Sequence, residues 1–251
     1  MNRSWKNYYW SKENKCFTDG KNKLLGANKW FKKYIPEFDI VKISSIVAKK
    51  SGKTSEEVRE EWEDKKNFAI KRGNACHDYI KAKIRGSSYW KDDYLSYYKD
   101  VIDDKLKEYQ KKGFIPFLVE DNISAYGILS KPDLVLYHPE SDTYLIIDWK
   151  FVDRFKSSNS FQSLHPPFSF LASCHHGKYL AVGELYSLIL AKEYNIDESK
   201  INSVVINFSC EEKTYDIKIR TYFLRNIVKR EVRKYLHKEF QNYKPEQLPS
   251  V

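Results

Sequence analysis

Two aspartates and a lysine stand where a short hairpin would bring them together. The segment KPDLVLYHPESDTYLIIDWK, residues 131 to 150, reads as two strands joined by the turn residues His138-Pro139-Glu140-Ser141-Asp142. With His138 facing Thr143, opposed positions pair Tyr137 with Tyr144, Val135 with Ile146 and Asp133 with Asp148. Directly opposed side chains have Cβ atoms ~5 Å apart. Like charges so placed repel. A divalent cation removes that penalty, since Mg²⁺ takes carboxylate oxygens at ~2.1 Å. Lys150, two residues beyond Asp148, projects to the same side of its strand. Such a cation makes water a nucleophile at neutral pH and stabilises charge on a phosphoryl oxygen. The ammonium can orient that water or offset the developing charge. These are the parts phosphodiester hydrolysis requires. The alternative is a turn-capping Asp133 beside a strand-end ion pair of Asp148 with Lys150. Pro132-Asp133, the hairpin spacing and an apolar run ending on D-x-K together favour the chemical reading.

The elements around this hairpin follow from period and punctuation. Thr54 and Glu57 form a capping box. From there Val58, Trp62, Ala69, Gly73, Cys76, Ile80 and Ile84 keep helical spacing, which predicts one helix with His77 beside its buried stripe. Ser87 to Gly113 reads as a second helix. Phe117 to Ile123, Asp133 to Tyr137 and Tyr144 to Trp149 read as strands. A Ser-, Pro- and His-rich loop covers Asp153 to Gly177, and a helix runs from Lys178 to Tyr194. Strands at Val204–Phe208 and Tyr215–Ile219 precede a basic amphipathic helix from Tyr222 to Phe240. The first fifty residues, with Trp5, Tyr8, Tyr9, Trp10, Trp30, Phe31 and Tyr34, read as short helices joined by turns. Their rings serve mainly for packing, with DNA stacking a second use for some. The class is mixed α/β in a single domain: an N-terminal helical, aromatic region (1–54), a core (55–220) and a basic C-terminal helix and tail (221–251).

The chain of 251 residues carries a formal charge of +10, which favours a polyanionic partner; nucleic acid is the commonest. The apolar stretch around Leu185 to Ala191 is far short of the ~20 residues a membrane span needs. MNRSWKNYYW has no signal-peptide core, so an intracellular, cytoplasmic location is expected, with no membrane partner. Cys16, Cys76, Cys174 and Cys210 form no C-x-x-C pair and read as free thiols.

These motifs resemble the PD-(D/E)XK nuclease superfamily, and more closely its RecB-type exonuclease branch. Pro132-Asp133 matches the P-D and Asp148-Trp149-Lys150 the D-x-K. Gly73-Asn74-Ala75-Cys76-His77 is similar to the branch's G-x-x-x-H helix, and Glu120 matches an acidic position before the hairpin. Lys178-Tyr179 through Tyr186 resembles the helix bearing Q-x-x-x-Y, with Val182 at the Gln position. The likeness covers roughly Ala27 to Tyr194 and is similar to stand-alone nucleases of phages and large viruses. It implies a restriction-endonuclease-like core, a central mixed sheet flanked by helices. It also implies Mg²⁺ or Mn²⁺ held by His77, Asp133, Asp148 and the Trp149 carbonyl, with Glu120 and Lys150 completing the catalytic set. The branch's iron–sulfur cluster needs a C-terminal cysteine triplet, which is lacking here, so no cluster is expected.

The implied activity is metal-dependent hydrolysis of DNA, exonucleolytic on single-stranded or free-ended substrates. The alternatives are an RNA-directed nuclease and a non-catalytic DNA-binding or assembly protein with a degraded nuclease fold. For DNA contact the candidates are Tyr186 and, on the last helix, Arg225, Lys229, Arg230, Arg233 and Lys234, opposite the apolar row Leu224, Val228, Val232 and Leu236. Cys174-His175-His176 does not make a zinc site, because neighbouring residues on one loop seldom converge on one ion.

Overall fold

From Thr143 to Lys150 the chain is apolar on both sides. Tyr144 and Ile146 enter one hydrophobic core, while Leu145, Ile147 and Trp149 enter another. A strand buried on both faces belongs to the middle of a covered sheet. Asp148 and Lys150 continue the series of Tyr144 and Ile146, so their side chains leave from that same face.

The structure, a computed structural model, describes residues 8–11, 16–18, 23–89, 93–96, 98–152, 158–159, 161–208, 215–219 and 222–239. Strands β1 (Tyr9–Ser11), β2 (Cys16–Thr18) and β3 (Lys23–Gly26) lead into helices α1 (Ala27–Lys32), α2 (Ile40–Ser51) and α3 (Ser55–Arg85). Then come α4 (Lys99–Lys111), β4 (Ile115–Val119), β5 (Ile123–Ala125), β6 (Ile128–Ser130), β7 (Leu134–His138) and β8 (Thr143–Lys150). Helix α5 (His175–Tyr194), β9 (Ile201–Asn207), β10 (Tyr215–Ile219) and α6 (Tyr222–Glu239) follow.

The result is a mixed α/β architecture with two mixed sheets. The central one has the order β10-β9-β8-β7-β4, the other β1-β2-β3-β6-β5. In the central sheet β8 and β9 run parallel, and the remaining neighbours are antiparallel. The β7–β8 register follows the sequence reading: His138 faces Thr143, Tyr137 faces Tyr144 and Val135 faces Ile146. The ladder stops at Leu134 opposite Ile147, one step before Asp133 and Asp148. Helices α1, α5 and α6 cover one face of the sheet, and α3 and α4 the other. Among the described residues no helix is long and apolar enough to cross a membrane.

Helix α3 has the expected start. The Thr54 hydroxyl accepts from Glu57 N, and the Glu57 carboxylate accepts from Thr54 N at 2.7 Å. Gly86, at φ 66°, closes the helix in the left-handed conformation. Three expectations change. The N-terminal segment begins with strands, where helices were expected, consistent with the strand preference of its aromatic residues. The helix expected from Ser87 begins only at Lys99, after a 3₁₀ turn at Asp93–Leu95. Burial of Leu95 and Tyr98 against α3 holds that turn in place. Phe117–Ile123 divides into β4 and β5 at Glu120, whose φ is +50°. Trp30, Phe31 and Tyr34 are core residues, whereas Trp5, Cys210 and Phe240 lie outside the described residues. Cys16, Cys76 and Cys174 are in no disulfide.

Helix α5 is buried on most of its circumference and starts under a tight contact. A Cβ placed on Gly177 would lie 2.3 Å from the Ala172 carbonyl oxygen. An ordinary helical Gly→Ala change gains ~1 kcal/mol. Here Gly177→Ala is expected to cost about 1–3 kcal/mol, because the loop backbone must move. Denaturant melts check this, and an unchanged midpoint would mean that the loop yields freely.

Candidate functional site

The carboxyl end of β8 is fixed by its neighbours before any charged group is considered. Asn207, opposite Lys150 in the parallel register, clasps the next peptide: its Oδ1 accepts from Val152 N and its Nδ2 donates to Val152 O, both at 3.1 Å. Phe208 N donates to Lys150 O at 2.8 Å, and the buried Arg72 of α3 donates to Phe151 O at 2.7 Å. Crevices beyond the carboxyl ends of parallel strands are where α/β sheets place ligands.

Four candidate side chains meet there. Asp133 Oδ2 accepts from Trp149 N at 2.7 Å, which ties the turn before β7 to β8. His77, from α3, has Nδ1 3.7 Å from Asp133 Oδ1 and packs edge-on to the Phe151 ring. Lys150 Nζ lies 2.5 Å from Asp148 Oδ2 and donates to Trp149 O at 3.0 Å. Asp133, Asp148, Lys150 and His77 keep 18, 19, 21 and 25% of their side-chain exposure, so the cluster is open to a small ligand. Glu120 stands just outside the four. Its N–H donates to Asp133 O at 3.0 Å, and its carboxylate pairs with Lys131 at 2.9 Å and Lys81 at 3.2 Å.

Too many negative charges share too little water. Burial first, then the Asp148 charge, pushes the Asp133 carboxyl well above the ordinary range, against the pull of Lys150. Burial works to lower the Lys150 ammonium, but Asp148 and Asp133 outweigh it and hold it charged. Burial, seconded by Lys150, lowers His77, leaving a neutral imidazole at pH 7. Burial works against ionisation of Glu120, yet Lys131 and Lys81 keep its carboxyl below the usual value.

Other expected contacts lie elsewhere. Tyr186 is buried, and burial followed by Asp148 and Asp133 raises its phenol; it supports the cluster from beneath and offers no ring to solvent. On α6 the row Leu224, Val228, Val232 and Leu236 is buried as expected. The cations do not form one open face. Arg225 pairs with the buried Glu184 at 2.8 Å, and Lys229 with Glu198 at 2.9 Å. Arg225 is turned toward α5 because Glu184 needs a partner to be buried, and Lys229 toward the 3₁₀ turn Glu198–Lys200 that follows α5. Lys234 pairs with Glu231 within the helix; Arg230 is exposed and Arg233 half-buried. Sequence reading placed Lys178 and Tyr179 at the start of a helix and gave them no role in the site. The Tyr179 ring lies 5.0 Å from Lys150 Nζ, and the Lys178 ammonium feels Lys150 and Asp148. Their position seven and eight residues before Tyr186, about two helical turns, was the available signal.

Among the described residues no three His, Cys, Asp or Glu side chains form a ready-made metal-holding group. The donor chemistry still fits a hard divalent cation. Asp148 Oδ2 is buried, ion-paired but without an aligned hydrogen bond, next to a carboxyl that resists ionisation. The Lys150 ammonium already stands against Asp148 Oδ2 and Trp149 O, two oxygens that a cation would use. No family model matches the chain, and no curated protein is significantly similar to it.

Proposed function

We propose that the chain is a divalent-metal-dependent nuclease of the PD-(D/E)XK type, RecB-like, with a restriction-endonuclease-like core. It hydrolyses DNA phosphodiester bonds, as an exonuclease on single-stranded or free-ended substrates. The observation that carries the reading is the meeting of Asp133, Asp148, Lys150 and His77 at the carboxyl end of β8, with a protein cation against Asp148 Oδ2 and Trp149 O.

Asp133, Asp148, the Trp149 carbonyl and His77 would hold Mg²⁺ or Mn²⁺. When bound, the cation makes a water nucleophilic and stabilises charge on a phosphoryl oxygen. Lys150, beside Asp148, would hydrogen-bond a phosphate oxygen and offset its growing charge. Asp133 would hold the cation as the carboxylate, so the proton it favours in the metal-free protein would leave when a cation takes its place. Glu120, held by Lys81 and Lys131, steadies the turn that carries Asp133. Neutral imidazole suits Mn²⁺ better than Mg²⁺, so Mn²⁺ should serve at least as well.

One observation favours a non-catalytic DNA-binding protein: Val182, at the family's Gln position, is buried and apolar. Labelled linear DNA, closed circles and RNA incubated with Mn²⁺ or with EDTA separate the readings. Degradation of linear DNA in Mn²⁺ alone is expected. Rapid cutting of closed circles would overturn the exonuclease reading, and degradation of RNA alone would overturn the choice of DNA. Inertness toward all three would overturn the nuclease.

A further inference from the structure

Helix α1 and its C-cap present Lys29, Lys32 and Lys33, spaced i, i+3 and i+4 and therefore on one face. They line an open cleft of about 1000 Å³ with Phe38 and His165, against the acidic Glu37. None of the site residues above lines it. The platform is firm: Trp30 and Tyr34 of this segment are buried, and the Lys33 ammonium lies 5.1 and 4.8 Å from their ring centroids. Phe38 is 66% exposed, although its ring is braced by Trp62 of α3 at 6.0 Å. His165 sits in the chain segment between β8 and α5, which also carries the exposed Phe161 and Phe170. That segment continues into α5, which begins at His175 and carries Lys178 and Tyr179 in its first two turns.

We infer that this cleft is a binding track for single-stranded nucleic acid, with Lys29 and Lys32 on phosphates and Phe38 stacking on a base. Lysines beside an exposed, braced ring match what a flexible polyanion with free base faces requires. A duplex keeps its base faces stacked and offers Phe38 nothing. The assignment of this strand as substrate rests on the nuclease reading above; the binding itself does not.

The test uses the full chain in EDTA with fluorescent oligothymidine and a duplex of equal length, over a range of salt. Lys29→Ala with Lys32→Ala should weaken oligothymidine binding at least tenfold at low salt. It should also flatten the log–log salt slope by about 0.7 for each phosphate that the lysines no longer neutralise. Phe38→Ala should weaken oligothymidine about fivefold or more, leave the slope alone and leave duplex binding unchanged. Unchanged affinity and slope in all variants would overturn the cleft, as would equal weakening for duplex and single strand. Retained nucleic-acid binding with abolished adhesion to anionic phosphatidylserine vesicles would overturn it in favour of a membrane surface. If oligothymidine binds through these residues and nothing is cut in Mn²⁺, the cleft stands and the nuclease reading falls. Cutting with binding indifferent to the substitutions gives the reverse.

Discussion

Lys150→Met is expected to slow DNA cleavage by about 10²–10³-fold, the usual loss for one donor at a developing oxyanion, while binding Mn²⁺ more tightly than wild type. The two effects come from the two places the ammonium occupies. In the structure it contacts Asp148 Oδ2 and Trp149 O, so an incoming cation must displace it. Methionine keeps much of the aliphatic stem and removes that competitor. It also leaves the aspartates without their counter-charge, which destabilises the metal-free protein, as breaking buried ion pairs does. The thermal midpoint should therefore drop in EDTA and recover with Mn²⁺. Calorimetric titration and single-turnover cleavage of the same preparation check both halves. Equal Mn²⁺ affinity in the two proteins would mean that the cation binds elsewhere.

Asp133→Asn should do the opposite to stability. The Asp133 carboxyl holds its proton well above the ~3.9 of an unfolded aspartate. Between those values the folded state binds more protons than the unfolded one, so wild-type stability falls as pH rises through the window. Asparagine has no proton to hold and still offers an oxygen to Trp149 N. In EDTA at pH 7 the variant should gain about 1–2 kcal/mol, a usual return for relieving a functional site. Below pH 4 the gain should vanish. Mn²⁺ should stabilise wild type and leave the variant nearly unmoved. Melts across pH with EDTA or Mn²⁺ decide it, and a variant less stable than wild type at pH 7 would remove the electrostatic strain from the account.

How much of this was legible in the chain depends on whether the determining contact is local. The β7–β8 register followed from the hairpin turn and apolar pattern alone, and α3 from its capping box and stripe. The second sheet did not, since β3 pairs with β6 across a hundred residues: Leu25 lies beside Ile128. Periodicity cannot report such a partner. Asp133 and Asp148 were placed in one neighbourhood, but the ladder ends before them and the Asp133 carboxylate turns to Trp149 N. The α6 pattern revealed its buried row and nothing of Glu184, which draws Arg225 inward from another helix. Tyr179 received no role in the site because a tyrosine two turns before Tyr186 carries no motif spacing of its own.

The most direct measurement compares wild type with Asp148→Ala on end-labelled single-stranded DNA in Mn²⁺, after equal thermal midpoints show that both are folded. Wild type should release nucleotides. The variant, lacking the carboxylate that a cation and Lys150 share, should do so at least about 10³-fold more slowly, a loss of several kcal/mol of transition-state stabilisation. Equal cleavage by both proteins, or none by either, would contradict a nuclease centred on Asp133, Asp148 and Lys150.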